Sequence, residues 1–82
     1  MKELINIYWL DEKGKRHDWI VVGVNEKEEN PTRRYYYHQH NPQYVYIHGV
    51  QTLQEAMAYL WKNIINPELT ADGIVYGVEK AK

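Results

Sequence analysis

Leu4-Ile5-Asn6-Ile7-Tyr8-Trp9-Leu10 and Trp19-Ile20-Val21-Val22-Gly23-Val24-Asn25 are the stretches that decide the fold. Both are rich in β-branched and aromatic residues, which suit a pleated, half-buried surface, so both read as strands. Gly14-Lys15 stands between them, and glycine at the first central position suits a two-residue type II′ hairpin turn. That turn pairs Trp9 with Ile20, Ile7 with Val22 and Ile5 with Val24, which gathers six apolar side chains on one face. The opposite face then carries Leu10 with Trp19, Tyr8 with Val21 and Asn6 with Gly23. A slip of one residue would mix the faces, so turn chemistry and apolar pattern agree.

Outward from this hairpin, residues 26–34 are polar and contain Asn30-Pro31, a break that reads as a loop. Residues 35–40 and 44–50 read as a third and a fourth strand, with Asn41-Pro42-Gln43 as the turn. A three-residue loop pairs His40 with Tyr44, His38 with Tyr46 and Tyr36 with His48. Tyr35, Tyr37, Val45 and Ile47 share the other face. Thr52-Leu53-Gln54-Glu55 is a capping box: the Thr52 hydroxyl can accept from the Glu55 amide, and the Glu55 carboxylate can reach back to the Thr52 amide. Leu53, Ala56, Met57, Leu60, Trp61, Ile64 and Ile65 then keep helical spacing. Asn66-Pro67 is expected to end the helix, Asp72-Gly73 is a turn signal, and residues 74–79 read as a last strand.

The order is ββββαβ. One helix can cover one face of a sheet, so a single two-layer α+β domain over residues 1–82 is expected, with a mainly antiparallel sheet of about five strands. The helix stripe is expected on Ile5, Ile7, Ile20, Val22, Val24, Val45 and Ile47. Tyr8, Leu10, Trp19, Val21, Tyr36, His38, His40, Tyr44, Tyr46 and His48 are then left on the other face.

With 82 residues, there is no room for a second core. A chain of this size buries only about 60% of the surface it exposes when unfolded, so stability must come from tight packing or association. Ten Lys and Arg against eleven Asp and Glu leave a net charge of −1, which excludes a strongly basic grip on nucleic acid. The absence of Cys excludes disulfides, thiol catalysis and Cys-ligated zinc. No apolar run is long enough for a membrane span or a signal-peptide core, so no membrane partner is expected and a cytoplasmic protein is the default.

The uncovered face is the most informative feature. Charged side chains usually coat such a surface, whereas this one is aromatic, aliphatic and imidazole, and exposed apolar patches of several hundred Å² usually mark contact. Tyr and Trp are also enriched at binding hot spots. Tyr8, Trp19, Tyr36, His38, His40, Tyr44, Tyr46 and His48 are the expected binding residues, with Arg33 and Arg34 at the edge. The bland alternative is that loops cover the patch, or that its aromatic pairs only stabilise the sheet.

His38, His40 and His48 suggest zinc. At a rise of about 3.3 Å per residue, His40 and His48 lie too far apart to share an ion, and no carboxylate completes a His38–His40 pair, so no metal or other cofactor is expected. Tyr36, Tyr44, Tyr46 and Trp19 could stack bases. Glu26, Glu28 and Glu29 beside the arginines oppose phosphate binding, so nucleic acid is disfavoured. A small nucleotide-type ligand needs less charge: Arg33-Arg34 before three tyrosines offers phosphate forks beside rings. Catalysis is not expected, because the chain has neither Cys nor Ser, no phosphate loop and no assembled acid–base constellation.

In size and style the chain is similar to small anti-defence inhibitors of phages and mobile elements, which occlude a surface or sequester a signal molecule. The likeness covers no residue string and assigns no residue a role. The resulting expectation is a non-enzymatic domain that binds a protein partner or a second copy of itself. A nucleotide-sequestering protein is the alternative.

Overall fold

The computed structural model describes residues 2–27, 30–41 and 43–81. Strands β1 (Lys2–Leu10), β2 (Arg16–Lys27), β3 (Asn30–His38), β4 (Val45–Tyr46) and β5 (Val75–Lys80) form one antiparallel sheet in the order β4-β3-β2-β1-β5. Between β4 and β5 the chain is helical: α1 (Leu53–Leu60), a π-helical turn (Trp61–Ile65) and α2 (Asn66–Asp72). This run carries the chain from one edge of the sheet to the other and covers one face. The expected two-layer α+β architecture and ββββαβ order are the ones observed.

The first hairpin differs from the II′ reading. The Gly14 amide donates to the Asp11 carbonyl at 2.9 Å, the Asp11 amide donates to the Lys15 carbonyl at 3.0 Å, and Gly14 takes φ 78°. This is a three-residue loop, a type I turn followed by a left-handed glycine. Its pairs are Leu10 with Arg16, Trp9 with His17 and Tyr8 with Asp18, followed by an irregularity after which Ile7 faces Ile20 and Ile5 faces Val22. One extra residue on β2 is absorbed there, so Trp19 and Ile20 both enter the core beneath the helix. Trp19 therefore leaves the open face on which it was expected, and is 8% exposed.

Of the expected loop 26–34, residues 26–27 and 30–34 are strand instead, because β2 runs on to Lys27 and β3 begins at Asn30, while Glu28 and Glu29 lie outside the described residues. Pro31 is tolerated in β3 because it falls at the register irregularity between Glu26 and Lys27, where the ladder gives it no partner on β2. The fourth strand is shorter than residues 44–50. Its register pairs Tyr36 with Tyr46 and Tyr37 with Val45, two residues away from the expected one. His40 sits in a bend at φ 57° and His48 in a turn, so neither belongs to a paired strand. Val45 was expected in the core, but it lies on the sheet margin and is exposed.

Thr52 caps α1 as expected: the Glu55 amide donates to its hydroxyl at 3.1 Å, while Glu55 Oε2 accepts from the Gln51 amide at 3.1 Å rather than from Thr52. Asn66-Pro67 does not end the helix. In α-register the Pro67 ring would press on the Asn63 carbonyl and offer it no donor. The π turn widens the helix just before this point, and the Asn66 amide donates to the Trp61 carbonyl. The Asn63 side chain donates to the Tyr59 carbonyl at 2.8 Å. The helix then continues to a left-handed Gly73, whose amide caps the Leu69 carbonyl.

Ile7, Ile20, Val22, Val24, Tyr35, Ile47, Ala56, Leu60 and Ile65 join Trp19 in the core, and Ile5, Trp9, Tyr37, Met57, Ile64 and Leu69 pack against them. Because Leu69 packs there, residues 66–72 cover the helix side and not the opposite face.

Candidate functional site: the sheet face opposite the helix

Register assigns this face. Across the strands it brings together Tyr46 of β4, Arg34, Tyr36 and His38 of β3, Asp18, Val21, Gly23 and Asn25 of β2, Glu3, Asn6 and Tyr8 of β1, and Gly77 and Glu79 of β5. Two glycines shape it. Gly23 stands opposite Tyr36 and Gly77 opposite Tyr8, and a Cβ on either glycine would collide with the facing tyrosine ring. Both rings thus lie across the backbone of the neighbouring strand instead of standing up from it.

Tyr36 is consequently only 1% exposed, although it lies on the face opposite the helical run. The Tyr44 ring meets it edge-on at 5.0 Å, and the Tyr46 ring at 6.1 Å. Burial pushes the Tyr36 phenol above its ordinary range, and the nearby Glu3 carboxylate adds to the shift. His38 extends the cluster, edge-on to Tyr44 at 5.3 Å and to His40 at 6.0 Å, with Nε2 3.6 Å from the Glu3 carboxylate. Its Nδ1 is buried without a partner among the described residues. Tyr44 forms the outer layer at 46% exposed, and His40 and His48 are exposed as well.

Two cations lie on tyrosine rings of this face. The Arg34 guanidinium sits 4.2 Å from the Tyr46 ring centre, and the Tyr46 hydroxyl accepts from Asn25 Nδ2 at 3.2 Å. Arg16 sits 4.2 Å from the Tyr8 ring and is held by Glu79 and Asp18, which keep it firmly protonated. Such contacts mainly fix the rings in place. Arg33 pairs with Glu26 through the backbone, and its side chain lies outside the described residues.

Of the residues expected on this face, the structure keeps Tyr8, Tyr36, His38, Tyr44 and Tyr46 there and takes Trp19 into the core, and Arg34, expected at the edge, lies on the Tyr46 ring. Sequence reasoning does not reveal that Arg16 lies over the Tyr8 ring or that tyrosine rings cover Gly23 and Gly77. The signal for the glycines was available, because a glycine inside a strand often marks close approach by a neighbour. Among the described residues no three His, Asp or Glu gather closely enough to hold a metal ion, and no helix is long and apolar enough to cross a membrane. Comparison with protein-family models, curated proteins and solved structures finds no match.

Proposed function

We propose that the chain is a non-enzymatic binding domain of the cytoplasm that engages another protein through the aromatic sheet face. The observation that carries this reading is the layering of the Tyr36 cluster. Tyr36 and Val21 form a buried base, and Tyr44, Tyr46 and His38 stand on it as a preorganised, partly exposed surface. Rigid aromatic side chains on a fixed base lose little entropy on binding, which makes them good anchors. The charges around them are mixed, with Glu3, Asp18 and Glu79 set against Arg16 and Arg34, and this suits a protein better than a phosphate backbone.

Native mass spectrometry of the protein gently isolated from its own cells tests the reading. A co-isolated polypeptide that is lost in Tyr44→Ala supports it. A small co-isolated mass that is lost in Arg34→Ala would replace it with the nucleotide-type alternative.

A further inference from the structure

The two edges of the sheet are unlike. On one side β4 is two residues long, and the free stretch of β3 contains Pro31 and lies next to Arg33 and Arg34 in sequence. Proline and charge are the usual protection of an edge strand. On the other side β5 presents Val75-Tyr76-Gly77-Val78, with no proline and no charge before Glu79. Val75 is 63% exposed and Val78 47%, and Trp61, 41% exposed, leans on Tyr76 at 5.3 Å.

The backbone shows which groups this edge offers. The Ala81 amide donates to the Leu4 carbonyl at 3.0 Å, and the register continues Glu79 with Asn6, Gly77 with Tyr8 and Val75 with Leu10. In an antiparallel ladder the residues alternate, so these four direct their N–H and C=O groups to β1. Tyr76, Val78 and Lys80 direct theirs outward, where no described strand lies.

We propose that β5 is a dimerisation edge and that its partner is β5 of a second copy, paired antiparallel about a two-fold axis at Val78. In this register Val78 meets Val78, and Tyr76 meets Lys80 on each side of the axis. All three outward-facing residues are paired, and the sheet becomes continuous over ten strands. Sliding two residues one way leaves Tyr76 with no opposite residue inside the strand. Sliding two the other way sets Gly77 against Gly77 and leaves Lys80 opposite Ile74, outside the strand. The Val78 register therefore fits self-association best. It uses an edge separate from the Tyr36 cluster, so it stands whether or not that face binds a protein.

Sedimentation over a concentration series reaching the millimolar range tests the proposal, with Val78→Pro and Val78→Lys as variants. Proline at this position removes only an outward N–H, so the β1 ladder stays intact, and lysine is the usual blocker of an edge. The expected result is a dimer for the native chain and for Tyr44→Ala, and monomers for both Val78 variants with their helical circular dichroism retained. A native chain that stays monomeric throughout overturns the proposal, as does a dimer that survives in a folded Val78 variant. If Val78→Pro fails to fold, Val78→Lys decides alone.

Discussion

Tyr8 over Gly77 and Tyr36 over Gly23 are the same device with different surroundings. Around Gly77 the three nearest neighbours of an added Cβ all belong to the Tyr8 side chain, including Cε2 at 2.7 Å. Around Gly23 the Lys2 carbonyl oxygen is also close, at 2.7 Å. Gly77→Ala should therefore cost about 1–3 kcal/mol in the native chain, and much less once Tyr8→Ala has removed the ring. Gly23→Ala should stay costly even with Tyr36→Ala, because a backbone oxygen cannot move aside. Urea denaturation of the single and double variants reads both cycles.

Asp11 shows how a single residue fixes the first hairpin. Its Oδ1 accepts the Lys13 and Lys15 amides, each at 2.9 Å, and its Oδ2 lies 3.0 Å from His17 Nε2. His17 in turn stacks on Trp9 at 4.2 Å. The His17 contact, then the Lys15 amide, hold the Asp11 carboxyl below its ordinary value of 3.8. Because the folded state favours the charged form, this stability is present above the ordinary value and is lost as pH falls through the lowered one. The stability gap between the native chain and Asp11→Asn should therefore be open at neutral pH and narrow in strong acid. Equal gaps at both pH values would refute the linkage.

At the scale of elements, the kind of register error decides what the sequence can reveal. The β3–β4 pairing is displaced by two residues from the sequence expectation, and a displacement of two leaves every side chain on its face. Tyr36 and Tyr46 thus share a face, and Tyr35 and Ile47 reach the core, despite the wrong partners. The β1–β2 bulge adds a single residue, which reverses the side of residues 16–19 relative to strict alternation from Ile20, Trp19 among them. Nothing in the alternation of residues 16–22 marks that extra position; the Asp11-to-Gly14 turn would have been the clue. Trp19→Ala should accordingly behave as a core truncation and cost about 3–5 kcal/mol. Measured by urea unfolding, a cost below about 1 kcal/mol would place the ring back on the surface. The helix outruns its expected end because Asn66-Pro67 is a stop signal only while the helix keeps α-register, and the π turn just before it accommodates the proline.

At the scale of the whole molecule, one helical run serves a sheet with two faces, and the uncovered face must protect itself. It does so in one half by laying tyrosines over glycines and stacking further rings on top. The same arrangement leaves Tyr44 outermost, edge-on to the buried Tyr36 ring. The layer and order of the elements were legible from alternation, the capping box and helical spacing. The depth of the aromatic cluster was not, because strand alternation gives a side and says nothing about which ring lies on which.

The central claim, that this face meets another protein, is tested most directly by a photo-crosslinking residue at position 44, with position 54 on the exposed side of α1 as control. Both positions are exposed in the folded chain. The account predicts a discrete protein adduct in cells from position 44 and none from position 54. No adduct from position 44, or the same adducts from both positions, would contradict it.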